Sequence, residues 1–514
     1  MRVFDANGDF APSVPGGGAA LRRHAVRGAG MTILSGSIGL AIQMIATVVL
    51  ARLLTPRDFG LVAMVTTFSL LLVNFGMNGI TEAVVQHDRI DHGLASNLFW
   101  FTMGGSLLLA VGFAATGSLL AKFYGEARVA PIAAGMSATI VLNCGSVLHL
   151  ALLKRAMRFS AMAKNDIVAK AVSVVVAILF GWAGWGYWAL VLGACALPLS
   201  TAAGAWFLCR WIPGRPRHAP GTARMLRFAM HTYGRFSVNY FARNTDNLLV
   251  GWRFGAYPLG FYKKAYDLFA LSATQLVSST TVVAVSALSR VRGDRDQYLR
   301  YLLGAMGVMA FVGMGLAGDL TLAGRDLIRL LLGPGWEPAG RIFTFFAPGI
   351  GIMVLYGTHG WIHLSIGRAD RWFLWGLVEW VVTTLLLLAG LHWGPQGIAA
   401  AWCASFWLLT APAMWYAGKP IGLGAGPVFA AAWRYVLAAL LAGLATNLIF
   451  SRLLSLPGQP DAAGAALRVA ILSMCFGCLY LTGIALLGFG SSPLWRMAAL
   501  LREIVSGGAQ SATG

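Results

Sequence analysis

Residues 50–60 read LARLLTPRDFG, and residues 250–260 read VGWRFGAYPLG. Each stretch ends one apolar segment and begins the next. Two further pairs of turns follow in the same order, residues 123–126 with 331–334 and residues 186–189 with 397–400. All three pairs are separated by about 200–210 residues, which predicts an internal repeat. Each copy holds six apolar segments, and because six is even, both copies have the same orientation across a membrane. Two parallel lobes of six helices around a midplane site are an architecture of transporters.

The composition excludes a water-soluble protein. Of the 514 residues, 58% are hydrophobic and only 11% are charged, and the mean hydropathy is +0.70, whereas soluble proteins carry about 25% charged residues. The net charge of +20 does not indicate a nucleic-acid partner, because the basic residues alternate with apolar segments along the whole chain. The six cysteines lie almost entirely in apolar segments, which predicts free thiols rather than disulfides.

The apolar segments predict an all-α polytopic membrane protein with about 14 transmembrane helices, since one span needs about 20 mainly apolar residues. Two parallel six-helix lobes are followed by two C-terminal helices. The predicted spans are 31–51, 59–82, 97–121, 129–152, 163–183, 186–209, 229–252, 265–289, 301–322, 342–366, 372–391, 396–418, 430–451 and 467–490. The predicted parts are a cytoplasmic tail with an interfacial segment (1–30), the N-terminal lobe (31–209), a basic cytoplasmic linker (210–228), the C-terminal lobe (229–418), two additional helices (419–490) and a cytoplasmic tail (491–514).

The distribution of Lys and Arg predicts the orientation. With the N-terminus in the cytoplasm, the cytoplasmic segments hold 24 of these residues, the outer segments hold 12 and three lie inside spans. Because cytoplasmic loops carry the excess of positive charge, both termini are predicted to be cytoplasmic.

Five stretches resemble the polysaccharide transporter (Wzx-type) flippases of the multidrug/oligosaccharidyl-lipid/polysaccharide superfamily. They are residues 53–64 (LLTPRDFGLVAM), 97–100 (NLFW), 154–159 (KRAMRF), 246–251 (DNLLVG) and 259–266 (LGFYKKAY). The resemblance extends over roughly residues 20–420. It implies a V-shaped pair of lobes in a bacterial inner membrane. It also implies outward flipping of polyprenyl-pyrophosphate-linked oligosaccharide, with glycan polymerases and glycosyltransferases as partners in the pathway.

The seventh span holds the densest set of polar residues within the predicted membrane. At about 100° per residue, Arg235, Asn239, Arg243 and Asp246 fall in one stripe, and Asn247 lies about 40° beyond it. Such a stripe is predicted to face a wet cavity, where an arginine fork suits phosphate oxygens. Two alternatives stay open at this point. Arg243 and Asp246 are three residues apart and can neutralise each other, and Arg235 is close enough to the cytoplasmic end to extend into the headgroups.

Other spans contribute weaker candidates for the same cavity. Gln43 on the first span and Asn74 and Asn78 on the second are candidate lining residues, with hydrogen bonding between helices as the alternative. Asp166 and Lys170 are predicted to form an ion pair. His359 and His363 have the spacing of metal ligands, but no nearby carboxylate or Cys completes a site. We therefore predict no metal and no cofactor, and the chain has no P-loop motif for ATP.

Three functions are compatible with these features. The first is a flippase for a lipid-linked glycan, whose partners are that substrate and membrane lipids. The second is a membrane glycan polymerase or ligase, which needs acid and base groups on a large outer loop, but the outer connections 323–341 and 452–466 are short and carry no His. The third is a multidrug antiporter of the same superfamily, which favours acidic residues in the N-terminal lobe, whereas the seventh span is cationic.

Overall fold

A computed structural model gives the fold of this chain. It describes Phe4, Phe10 and residues 18–74, 80–81, 84–85, 90–216, 227, 230, 233, 240, 244–452 and 462–488. Fifteen α-helices account for most of these residues. They are α1 (Gly18–Leu53), α2 (Pro56–Val73), α3 (His92–Ala115), α4 (Gly117–Tyr124), α5 (Val129–Arg155), α6 (Phe159–Trp182), α7 (Tyr187–Cys209), α8 (Ala256–Arg290), α9 (Arg295–Leu332), α10 (Glu337–Phe346), α11 (Pro348–Ser365), α12 (Ala369–Gly390), α13 (Gly394–Gly418), α14 (Ala425–Arg452) and α15 (Ala462–Leu487). Residues 244–254 are helical as well.

The helices confirm an all-α membrane protein. Within the described residues, 11 helices are long and apolar enough to cross a membrane, or 12 when α10 and α11, which meet at an angle of 43°, are taken as one bent span. One of the 11 runs over 53 residues from Ala369 to Ile421. It is folded back on itself as two antiparallel helices, as shown by the hydrogen bond from Arg371 at the start of α12 to the carbonyl of Tyr416 at the end of α13 (2.6 Å). Helices thus coincide with every predicted span except the seventh. Half of that span, 229–252, lies outside the described residues, so the count of fourteen stays a prediction.

The chain divides into two compact units, Met1–Gly260 and Phe261–Gly514. In the first unit, α1 begins at Gly18 and continues through the basic segment at residues 21–27 into the first span without a break. The second unit contains most of α8 and all of α9 to α15. The predicted lobes 31–209 and 229–418 stay a prediction.

A capping box explains why α2 begins where it does. The hydroxyl of Thr55 accepts from the backbone N–H of Asp58, and the Asp58 carboxylate accepts from the backbone N–H of Thr55 (2.9 Å). Pro56 occupies the first turn, where its missing N–H costs nothing. The residues TPRD of the first repeat motif are therefore a helix-start signal.

The turns at residues 50–60 and 250–260 contact each other through equivalent glycines. A Cβ on Gly60 would overlap the carbonyl oxygen of Ala256, and a Cβ on Gly260 would overlap the carbonyl oxygen of Pro56. Because Pro56 and Ala256 also hold equivalent positions in the two motifs, the contact is reciprocal. The backbones approach this closely only because both positions lack a side chain.

Three described residues around the seventh predicted span contact α2 in antiparallel order. The hydroxyl of Tyr233 donates to the carbonyl of Leu71 (2.9 Å), and the hydroxyl of Tyr240 donates to the carbonyl of Thr66 (3.4 Å). Farther along, the Cβ position at Gly251 is 3.4 Å from the Met64 side chain. Their hydroxyls hold Tyr233 and Tyr240 against α2 through hydrogen bonds to helix carbonyls.

The start of the predicted linker is fastened to the ends of α3 and α5. The carbonyl of Trp211 is 3.2 Å from the His149 ring, Gly214 receives a 2.7 Å hydrogen bond from the Trp100 indole, and its N–H donates to Ser96 (2.9 Å). Phe4 packs into the same cluster and is 7% exposed. The first part of the predicted linker is therefore held against α3 and α5 by hydrogen bonds at Trp211 and Gly214.

In the second unit, the last two helices pack on α9. Tyr480 of α15 donates to the carbonyl of Phe311 (2.7 Å), and Arg468 of α15 forms an ion pair with Asp326 of α9 (3.3 Å). Gly318 lies directly against the ring of Phe476, where a Cβ would overlap the ring. The C-terminal helix is thus held by aromatic side chains that fill a groove made by glycine. All six cysteines are free, as the sequence predicts.

Candidate functional site

The residues of the seventh-span stripe divide between those that the structure describes and those that it does not. Arg235, Asn239 and Arg243 lie outside the described residues. Asp246 has no exposed surface, and Asn247 is 3% exposed. Asn247 lies on the same side of its helix as Gly251, which contacts Met64 of α2, whereas Asp246 lies about 140° around from Gly251. These two adjacent residues therefore have different neighbours.

Gln43 on α1 is exposed on the side opposite the helix's apolar exposed face. Leu34, Ile38 and Ile45 are 37–59% exposed and fall within about 40° of one another around the helix. Gln43 is exposed as well, but it lies about 140–180° around from this apolar stripe. Since the apolar stripe is the side suited to lipid, the exposed amide of Gln43 is on a side of α1 that does not face the lipid tails.

The same relationship holds on α6. Val168, Val172, Val175 and Leu179 form an apolar stripe that is 38–58% exposed. Asp166 and Lys170 lie about 120–180° around from this stripe, and their side chains are 47% and 36% exposed.

Asp166 and Lys170 form the predicted ion pair, with 2.7 Å between Oδ2 and Nζ. Asp166 also accepts from the hydroxyl of Ser35 on α1 (3.4 Å). A Cβ on Gly39 would lie 2.8 Å from the Lys170 ammonium, so α1 makes room for Lys170 by having no side chain there. Gln43 follows Gly39 by one helical turn, on the same side of α1. The two helices therefore bring Gln43 and the ion pair to one neighbourhood.

Depth and charge together imply that this neighbourhood is wet. Lys170 is the twelfth residue of a 24-residue helix, so it lies about 16 Å along a helix of about 36 Å. A charge at mid-bilayer costs about 2.5–3.5 kcal/mol on insertion scales. A half-exposed ion pair at this depth, turned away from the apolar stripe, is stable when water reaches it. We name Gln43, Asp166 and Lys170 the α1/α6 polar site.

The two asparagines of the second predicted span, Asn74 and Asn78, have different outcomes. Asn74 directly follows α2 as its C-terminal cap, and its side-chain amide donates to the carbonyl of Leu70 in that helix (2.7 Å). Asn78 lies outside the described residues. A residue that the sequence did not single out, Asn143 of α5, donates to the carbonyl of Val73 (3.0 Å) and so satisfies an open carbonyl at the end of α2. In the sequence, Asn143 could have been identified as a candidate because it is a polar residue inside an apolar span.

The two histidines of α11 do not belong to a metal cluster in the part of the chain that the structure describes. His359 bonds to the carbonyl of Tyr356 through Nδ1 (2.6 Å), and the two imidazole rings are 6.0 Å apart in an edge-on arrangement. Over the described residues, no group of three or more His, Cys, Asp or Glu side chains is placed to hold a metal ion.

Comparison with known proteins identifies the family. Residues 49–341 match the family described as "Polysaccharide biosynthesis protein", which is more than half of the chain. The chain belongs to this family. It is 23% identical over 360 residues to the "Succinoglycan biosynthesis transport protein ExoT" of Rhizobium meliloti (strain 1021), covering 70% of this chain and 72% of that protein. The resemblance drawn from the sequence motifs is thereby confirmed.

Solved structures share the fold. A structure of "Lipid II flippase MurJ, inward closed conformation" superposes with a TM-score of 0.69 at 13% identity, covering 89% of this chain and 99% of that one. An inward-facing "multidrug resistance MATE family transporter of the MOP superfamily" superposes with a TM-score of 0.58 at 13% identity, covering 76% and 98%. The protein is a multi-pass membrane protein of the polysaccharide biosynthesis family, with the fold of these transporters.

Proposed function

We propose that this protein is a flippase. It moves polyprenyl-pyrophosphate-linked oligosaccharide from the cytoplasmic to the periplasmic leaflet of the bacterial inner membrane by alternating access, for O-antigen, capsule or exopolysaccharide synthesis. The observation that carries this proposal is the α1/α6 polar site, a water-facing set of polar side chains at membrane depth in a chain made almost wholly of spans. The name of the succinoglycan transport relative and the fold of a lipid II flippase support the same class.

In this proposal the protein performs no chemical step. Arg243 and Arg235 hold the pyrophosphate, and Asn239, Asp246 and Asn247 form the rest of that polar stripe. Gln43, Asn74 and Asn78 belong to the same path. The prenyl tail stays in lipid. Glycosyltransferases build the substrate on the cytoplasmic side, and a glycan polymerase consumes it on the other.

The membrane potential favours this direction. A pyrophosphate-linked lipid carries about two negative charges, and moving one charge across 100 mV is worth about 2.3 kcal/mol. Because the cell interior is negative, outward movement of the anion is downhill by several kcal/mol. Arginines along the path lower the cost of moving the headgroup through the membrane.

Reconstitution in proteoliposomes tests the proposal. We expect a fluorescent polyprenyl-pyrophosphate-linked oligosaccharide to change leaflets only in vesicles that contain the protein, and faster when a potassium gradient with valinomycin makes the donor side negative. Protein-free vesicles and vesicles with an unrelated membrane protein are the controls. Efflux of ethidium without movement of the lipid-linked glycan would instead favour a multidrug antiporter.

A further inference from the structure

We infer that the α1/α6 polar site binds the sugar hydroxyls of the transported headgroup rather than its pyrophosphate. This inference rests on the proposed function and gives it a second binding element, apart from the arginine stripe. Its residues, Gln43, Asp166 and Lys170, all lie in the first unit.

The position of the site makes it accessible to a ligand from water. On both helices the polar side chains lie opposite an apolar stripe and are nevertheless exposed. Lipid contact does not explain this exposure, because each helix already presents a separate apolar side to lipid. A polar ligand that enters from water can reach these side chains.

The site carries no net charge. Asp166 and Lys170 neutralise each other at 2.7 Å, and Gln43 and Ser35 are uncharged. A phosphate group would gain the Lys170 ammonium but would be repelled by the Asp166 carboxylate beside it. The site therefore fits a neutral ligand better than an anion.

The side chains of the site offer both hydrogen-bond donors and acceptors to a ligand. The ammonium of Lys170 has three N–H donors and gives one to Asp166, and the second carboxylate oxygen of Asp166 is an acceptor. The amide of Gln43 supplies both donors and an acceptor. Sugar hydroxyls donate and accept at the same time, so adjacent hydroxyls can satisfy this mixed set. A site built to bond hydroxyls discriminates strongly against a ligand that lacks them.

The first experiment measures access of water to the site. Single cysteines replace residues 43, 168 and 170 in a form of the protein from which the six native cysteines have been removed and which still exports polysaccharide. A membrane-impermeant thiol reagent is expected to label positions 43 and 170 at least tenfold faster than 168, since Val168 belongs to the apolar stripe of α6. Equal rates at 168 and 170 would overturn the inference.

The second experiment separates sugar from phosphate. Native mass spectrometry compares binding of undecaprenyl pyrophosphate with binding of lipid-linked oligosaccharide extracted from the source cells. The wild-type protein is expected to prefer the glycan-bearing lipid. Asp166→Ala/Lys170→Ala, which leaves no unpaired charge, and Gln43→Leu are expected to reduce that preference on the order of tenfold, because each removes hydrogen bonds to the sugar. Affinity for undecaprenyl pyrophosphate is expected to stay unchanged.

The control is Arg368→Ala/Asp370→Ala, which removes another ion pair between exposed side chains (3.0 Å). It is expected to leave both affinities unchanged. An equal loss of affinity for the two lipids in Asp166→Ala/Lys170→Ala would assign the site to phosphate, and unchanged binding would make the ion pair structural; either result overturns the inference. If the wild-type protein binds neither lipid, the proposed function itself fails.

Discussion

Gly60 and Gly260 hold equivalent places in one reciprocal contact. Gly60 lies against the backbone carbonyl of Ala256, and Gly260 lies against the backbone carbonyl of Pro56. In each motif the contacted residue is four positions before the glycine. An approximate twofold relationship between the two turns produces this pattern. The two motifs that the sequence pairs are therefore in direct contact, and this contact explains why both motifs end in glycine.

This contact predicts equal sensitivity at two distant positions in the sequence. Gly60→Ala and Gly260→Ala each push a methyl group into a backbone carbonyl that cannot rotate away. We expect each to destabilise the protein by at least about 1–3 kcal/mol and to reduce its amount in the membrane. Thermal unfolding in detergent measures the effect. Gly104→Ala is the matched control, because no atom lies within 4 Å of its Cβ position, and a drop equal to that of Gly60→Ala would contradict the explanation.

The ion pair between Arg57 and Glu126 predicts a pH effect. The Arg57 guanidinium donates to Glu126 at 2.7 Å and, as the largest cause, holds the pKa of that carboxyl below its usual value of 4.5. The pair therefore contributes its stability at pH values above the usual pKa and loses it as the pH falls through the lower pKa of the folded state. Because Arg57 is half exposed, we expect Glu126→Gln to cost only about 0.2–1 kcal/mol at pH 7.

Melting curves of the wild type and Glu126→Gln between pH 7 and pH 3 check this sign. The Tm difference is expected to shrink toward the acid end. A difference that grows on acidification would show that the ion pair is not its source.

Arg243 is predicted to hold pyrophosphate. Arg243→Ala should abolish surface polysaccharide while the protein remains at near-normal abundance in the membrane. Arg243→Lys should restore part of the export, because the charge survives but the two-pronged geometry does not. If Arg243 only neutralises the fully buried Asp246, the double variant Arg243→Ala/Asp246→Ala should recover export. Immunoblots and polysaccharide staining in a deletion strain measure these outcomes.

The glycine groove of α9 predicts a size-compensating pair. Gly318→Ala should destabilise the protein by about 1–3 kcal/mol, because the new methyl group meets the ring of Phe476. Phe476→Ala should cost about 3–5 kcal/mol through the cavity it leaves. The double variant should be more stable than the sum of the two losses predicts, by about 0.5–3 kcal/mol. Simple additivity in thermal unfolding would mean that the two residues do not share the groove.

Hydropathy was sufficient to predict most of the fold. The spans follow from the cost of exposing apolar segments to water, and this cost does not depend on which helix packs where. The bend between α10 and α11 was less visible, because residues 342–366 read as one apolar run. Pro348 follows Ala347 at the break, and proline removes a backbone hydrogen bond within a continuous helix.

The candidate site was harder to predict, because exposure depends on the neighbouring helices. Helical spacing indicated that Asp166 and Lys170 would pair, and the structure confirms it. Spacing alone did not show that the pair stays open to solvent, since that depends on Gly39 and Ser35 of α1, more than 100 residues earlier in the chain. Similarly, the sequence did not show that Asn247 is buried on the side of its helix that meets α2.

The docking of α15 on α9 has a consequence for biogenesis. During synthesis α9 enters the membrane well before residues 462–487 leave the ribosome, so its groove at Gly318 is open and Asp326 lacks its partner Arg468 for that interval. A chain that stops before Ala462 keeps both defects permanently. The packing of α9 is therefore complete only after the whole of α15 has been synthesised and inserted.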